Sequence, residues 1–204
     1  MKERGMIFNG EMVRAILEGR KTQTRRPIKW KQTRFTEIAE RDDGSLWPWA
    51  EDCERGGDIW FTCPFGEVGD RIWVRETFRV HSRATDVATL VYRASVRNSW
   101  TEQTHRVPVA VCNKPATPEK WTPSIHMPRW SSRITLEITD VRVERLNSIT
   151  ESDAEAEGVT DTGFGDLLVD GFRYLWKSIY GDDSWQANPW VWVIEFKRVE
   201  GGAA

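Results

Sequence analysis

The stretch "RITLEITDVRVERL", Arg133 to Leu146, restricts the fold more than any other. Ile134, Leu136 and Ile138, then Val141 and Val143, alternate with polar residues. A repeat of two puts every second side chain on one face, so this is a half-buried strand and not a helix. The interruption at Thr139–Asp140 marks a bulge or bend, a feature common where a barrel turns a corner. Other short β patterns surround it: "MIF" (Met6 to Phe8), "RFTEIAE", "LWPWA", "DIWFTC", Arg71 to Phe78, "TLVYRA" and the closing "NPWVWVIEFKRV". "DDGS" and "VGD" supply turns between them.

Helices are few and short. Asn9 is an N-cap for a helix with Met12, Val13, Ile16 and Leu17 on one face, closed by Gly19. Thr150 and Asp153 start an acidic helix that ends at Gly158. "FGDLLVDGFRYLWKSIYG" carries Leu167, Leu168, Phe172, Leu175, Trp176 and Ile179 as an apolar face. Residues 97–130, broken by five prolines, read as a long irregular insertion. The pattern predicts an α+β, mainly β fold: a small, partly open β-barrel with flanking short helices. With 204 residues, one domain is the simplest division.

A net charge of −2 rules out a generic nucleic-acid coat, so any such contact must be local. Three cysteines with no apolar leader in "MKERGMIFNG" point to reduced thiols and a cytoplasmic protein, with no membrane partner. Cys53 and Cys63 and the scattered His81, His105 and His126 match no zinc spacing, and no cofactor or metal is expected. Twelve tryptophans should lie mostly in the core.

Charge is segregated along the chain. From Arg20 to Arg34 there are seven cations (Arg20, Lys21, Arg25, Arg26, Lys29, Lys31, Arg34) and no acid. From Glu151 to Asp170 there are seven acids and no cation. Two solvated faces, or salt bridges between the runs worth little individually, would explain both. "GRKTQTRR", read as the loop after the first helix, also offers Lys21 and Thr24 as an amine base and a hydroxyl nucleophile. Arg20, Arg25 and Arg26 would depress the lysine by like-charge repulsion, or hold a phosphate or carbonyl oxygen. Glu76, beside Arg71, Arg75 and Arg79, and Trp73 are further candidates for contacting substrate, Glu76 having a structural reading as partner of those arginines.

Gly19, Lys21, Thr24 and Arg26 reproduce the G-x-K-x-x-T-x-R motif, and here the chain resembles the ASCH domains, a branch of the PUA-like β-barrels. "GDRIWV", "ITESDAEAEGV" and "WVWVIEFKRV" are similar to further blocks of that family, in family order. "GRKTQTRRP" with "WVRETF" resembles ASCH proteins of tailed phages and prophages. The resemblance implies one domain over 1–204 with insertions near 29–66 and 79–130, which bring Trp30, Trp47, Trp49, Trp60, Trp100 and Trp121. It further implies an N4-acetylcytidine amidohydrolase-like site of Lys21 (base), Thr24 (nucleophile) and Glu157 (orienting or proton-handling carboxylate), with Arg26 neutralising developing charge. Glu155 and Glu151 are alternatives to Glu157. The substrate would be a modified nucleoside or RNA. A non-catalytic RNA- or DNA-binding module, an ASCH-type ribonuclease and a phage assembly accessory remain as other functions.

Overall fold

The computed structural model describes residues 1–30, 37–52, 54, 56–160 and 167–199. In chain order its elements are β1 (Glu3–Ile7), α1 (Gly10–Leu17), β2 (Gln23–Pro27), β3 (Glu37–Glu40), β4 (Leu46–Glu51), β5 (Asp58–Trp60), β6 (Arg71–Arg75), β7 (Phe78–Arg83), β8 (Val87–Tyr92), α2 (Trp100–Gln103), β9 (Thr104–Pro108), β10 (Thr135–Arg145), α3 (Glu151–Ala156), α4 (Leu168–Tyr180), α5 (Asp183–Gln186) and β11 (Trp190–Arg198). They fall into two compact units. The first takes Met1–Gly19, Asp70–Glu137 and the described residues from Lys197; the second takes Arg20–Gly69 and Ile138–Phe196.

In the first unit β1 runs parallel to β6, from Glu3 opposite Arg71 to Ile7 opposite Arg75. Gly5 allows this approach: a Cβ there would lie 2.5 Å from the Trp73 ring. The start of β10 pairs antiparallel with β6, Thr135 opposite Trp73. A second sheet, β7-β8-β9, is an antiparallel meander. Its alternate residues Phe78, Val80, Ala88, Leu90, Tyr92 and Val107 bury with Cys112 and Met127 into one core. α1 begins as its sequence requires, the Asn9 side chain accepting from the Met12 N–H at 2.9 Å. Gly19 ends it at φ +75°, a left-handed turn that favours glycine.

In the second unit β11 lies between β10 and β2, pairing antiparallel with β2 from Val191 opposite Pro27 to Glu195 opposite Gln23. A β3-β4-β5 meander occupies residues 37–60, its first hairpin turning at Gly44, φ +80°. Leu146, Ile149, Ala154, Phe172, Trp176, Val191 and Val193 form the core under α3 and α4. Gly171 lets α4 come close, since a Cβ there would meet the Val159 side chain at 2.7 Å.

The fold is mainly β with several short helices. The sheets are open, with β1 an end strand in one unit and β2 in the other, and no closed barrel is formed by the described strands. Other expectations change in detail. "GRKTQTRR" is not a loop throughout: from Gln23 it is β2, because β11 offers an antiparallel partner that no local signal discloses. The expected strand from Arg71 to Phe78 divides into β6 and β7 around Glu76–Thr77. Residues 97–130 hold a third meander strand, β9, too short for its alternation to be read. Leu167 and Ile179 face solvent, leaving Phe172 and Trp176 as the buried residues of α4.

Of the twelve tryptophans only Trp176 and Trp192 are buried outright, and Trp100 is half exposed. A ring that large more readily covers a core than disappears into it. Several are instead stacked by arginine: Arg41 over Trp47 at 4.1 Å, Arg79 over Trp121 at 4.6 Å and Arg145 over Trp190 at 4.2 Å.

Candidate active site

The second unit joins the end of α3 to the segment entering β2 through the main chain. Lys21 makes an antiparallel bridge with Glu157, the Thr22 N–H donates to the Ala156 carbonyl at 2.8 Å, and the Phe196 N–H donates to the Thr22 carbonyl at 2.8 Å. α3 is held in place at its other end by a reciprocal capping box, Thr150 with Asp153. It terminates at Gly158, φ +86°, whose carbonyl accepts from Arg20 at 2.9 Å.

This stitching sets Lys21 against Glu157. The Lys21 Nζ donates to Glu157 Oε2 at 2.6 Å and to the Glu157 carbonyl oxygen at 2.8 Å. Both side chains are sealed from solvent, 0% and 1% exposed. Burial pushes the Lys21 amine below the usual lysine range. The Glu157 charge and hydrogen bond pull it back, and Arg26 and then Arg25 push it further down.

Alternation along β2 sends Gln23 and Arg25 to one face, Thr24 and Arg26 to the other. Arg25 is fully buried and meets three carboxylates: Glu144 at 3.0 Å, Asp153 at 3.3 Å and Glu157 Oε1 at 3.5 Å. Gln23 donates to Asp153 at 3.2 Å and accepts from Arg142 at 3.2 Å. Arg142 also holds Asp140 at 3.1 Å, Glu144 at 2.6 Å, Asp153 at 3.3 Å and Glu195. Its own burial disfavours the charge, and the bonds to Glu144 and Glu195 overcome that, keeping Arg142 above the usual arginine value. Asp153 is drawn upward by burial, but the Thr150 N–H and hydroxyl, the Arg25 charge and the Gln23 amide hold it at about 2. The opposite charge runs of the sequence thus meet in one network.

Thr24 is buried at 1% exposure, opposite Ile194 on β11. Among the described residues its hydroxyl makes no hydrogen bond to Lys21 or Glu157. Of the alternative acids, Glu155 is exposed on α3. Glu151 accepts from the N–H groups of Leu168 at 2.7 Å and Val169 at 3.3 Å, capping α4. Glu157 is the carboxylate that pairs with Lys21. Lys31, Arg34 and Cys53 lie outside the described residues.

Glu76 and Trp73 belong to the first unit. Glu76 is buried and gripped by the Arg133 fork at 2.9 and 3.0 Å, so its partner is Arg133 and not the nearby Arg71, Arg75 or Arg79. Arg133 lies 4.0 Å from the Tyr92 ring centroid and bonds the Ser95 hydroxyl at 2.9 Å. Burial pushes the Glu76 carboxyl up, against the pull of Arg133. Trp73, partly buried, lies over Gly5 with the Arg75 guanidinium 5.4 Å from its ring centre.

Comparison with known proteins adds one likeness. The chain is similar to the high-resolution crystal structure of an ASCH domain from Lactobacillus crispatus JV V101, at 12% sequence identity and a TM-score of 0.44, over 97% of this chain and 79% of that one. No family model and no curated protein matches the chain.

Sequence reasoning missed Gln23, Arg142, Glu144, Asp153 and Glu195 as parts of the network. Asp140, Arg142 and Glu144 fall on one face of β10 at a spacing of two, and that charged alternation was the available signal. Among the described residues no group of His, Cys, Asp and Glu is arranged to hold a metal ion, and no helix is long and apolar enough to cross a membrane. What the arrangement can offer is a base: a dry amine whose charged form burial disfavours, held by a carboxylate at 2.6 Å.

Proposed function

We propose that the chain is a hydrolase of an acylated nucleoside, with an N4-acetylcytidine-like amide as substrate and Lys21, Thr24 and Glu157 as its reacting group. The reading treats residues 1–204 as one ASCH-like domain with two insertions. The observation that supports it best is the buried Lys21–Glu157 pair, because burial favours the neutral amine that a general base must be.

In this mechanism the neutral Lys21 amine takes the Thr24 hydroxyl proton as Oγ1 attacks the acetyl carbonyl. The C–N bond then breaks, the cytosine amine leaves with the proton from Lys21, and an acetyl-threonine ester remains. Water, deprotonated by Lys21, attacks the ester to give acetate and free Thr24. Glu157 orients Nζ and stabilises the ammonium formed in each half, and Arg26 offsets the oxyanion charge. Lys21 and Thr24 are covered and not hydrogen-bonded to each other, so the reaction requires substrate binding to expose them and to bring Oγ1 to Nζ.

A nucleic-acid-binding or RNA-cleaving surface is the other reading, and it needs the arginines open to phosphate. Arg25 is instead buried among Glu144, Asp153 and Glu157, which favours the enzyme.

Hydrolysis of N4-acetylcytidine, followed by chromatography, is the test. Wild type should release cytidine and acetate. Lys21→Ala, Thr24→Ala and Glu157→Ala, each checked for a native circular dichroism spectrum, should lose about 10²-fold or more of that rate. Folded wild type that leaves the substrate intact removes this substrate, and RNA binding and cleavage by the arginine segment would be measured instead.

A further inference from the structure

The first unit contains a cavity of about 640 Å³ that the hydrolase reading does not use. It is lined by the corner between β1 and α1, Ile7 to Glu11, and by Arg14, Arg93 and Arg97. We propose that this cavity is a second site, one that binds the phosphate monoester of a nucleoside monophosphate.

The charge balance is the first argument. Two acids line the cavity, Glu11 and Glu76, and the second is already neutralised by the bidentate Arg133. Three arginines therefore line a concave surface against one unneutralised carboxylate. Arg93 and Arg97 are exposed and form no ion pair among the described residues. Like charges gathered around a hollow repel one another, and an anion entering it relieves that repulsion.

Arg14 supplies the second argument. It sits one turn into α1, yet its guanidinium reaches back over the first turn: a Cβ on Gly10 would lie 3.6 Å from Nη1. The same Nη1 donates to the Ala94 carbonyl at 3.3 Å, which fixes it beside the cavity. A cation is disfavoured at this end of a helix, where the unpaired N–H groups already carry positive charge. Guanidinium and helix end together suit a phosphate, whose oxygens accept from both.

Size points the same way. An inorganic anion fills only a small part of 640 Å³, whereas sites for small organic ligands span roughly 300–1,000 Å³. Ile7 and Val96, 40% and 45% exposed, offer apolar surface to a base and ribose. Asn9, Thr77 and Ser124 supply polar edges. Arginine forks recognise phosphate bidentately, and these two wall features select the nucleoside that carries it.

Titration calorimetry of the full chain with CMP, inorganic phosphate and cytidine tests the assignment. CMP should bind at least about tenfold more tightly than either fragment, because it alone uses both halves of the site. Arg93→Ala/Arg97→Ala, at exposed positions, should weaken CMP about tenfold or more, and the exposed Arg106→Ala less than about twofold. On adding CMP, amide resonances of Gly10, Ala94 and Val96 should shift. Absent CMP binding, equal binding of phosphate, or equal losses in the double variant and Arg106→Ala would overturn the proposal. Shifts confined to Lys21–Arg25 and Glu157 would overturn it too, while favouring a nucleoside at the candidate active site.

Discussion

Lys21 is shifted more by the medium around Nζ than by its neighbours in sequence. An exposed lysine is almost wholly protonated at neutral pH, its ordinary pKa being about 10.4. Burial lowers that value here. In the proposed mechanism the base is the deprotonated form, so kcat/KM for amide hydrolysis should rise with pH along a limb centred below the free-lysine value, and flatten above it. Lys21→Arg, which cannot titrate in this range, should abolish the limb along with the activity; a pH profile of both proteins measures this. Because the folded value is the lower one, the unfolded chain binds more protons between the two values, and the contribution of Lys21 to stability increases with pH there. Lys21 and Thr24 could be named from a motif eight residues long. Arg133 could not, because the partner it holds, Glu76, is 57 residues away and the acid has three nearer arginines beside it in sequence.

At the scale of elements, α3 carries the most consequence for its length. Its Thr150–Asp153 capping box starts the helix, and the same Asp153 pairs with Arg25 and Arg142. Thr150→Ala should cost about 1 kcal/mol as a lost N-cap. It should also move the acid limb of stability. Asp153 lies at about 2 when folded, below its unfolded value, so its contribution is present above the unfolded value and lost as pH falls through about 2. Removing the Thr150 hydroxyl weakens that depression, so acid unfolding followed by circular dichroism should begin at higher pH in the variant. The two ends of this helix were legible because caps are local: Thr150, Asp153 and Gly158 lie within nine residues. β9 and the β2–β11 ladder were not, since a strand of five residues acquires its identity from a partner elsewhere in the chain.

Over the whole molecule, the chain passes between its two compact units at 19/20, 69/70, 137/138 and 196/197, twice inside a strand. β10 has Thr135–Glu137 in one unit and the rest in the other. Each unit is assembled from separate stretches of chain, and β10 and β11 each run from one into the other. Scanning calorimetry should therefore show one transition with equal calorimetric and van't Hoff enthalpies; two resolved peaks would show separate unfolding. Strand content was readable at this scale from alternation alone. Sheet closure was not, because whether a sheet joins its own edges depends on tilt and register across strands that one sequence does not display.

Glu157 holds Lys21 twice, by its carboxylate and by its main-chain carbonyl, and the Thr22–Ala156 bond beside it is main chain as well. The address of the lysine is thus written in main-chain atoms, and its counter-charge in atoms only an acidic residue has. Replacing Glu157 would take away the counter-charge of Lys21 and leave in place the main-chain bonds that set where the amine sits.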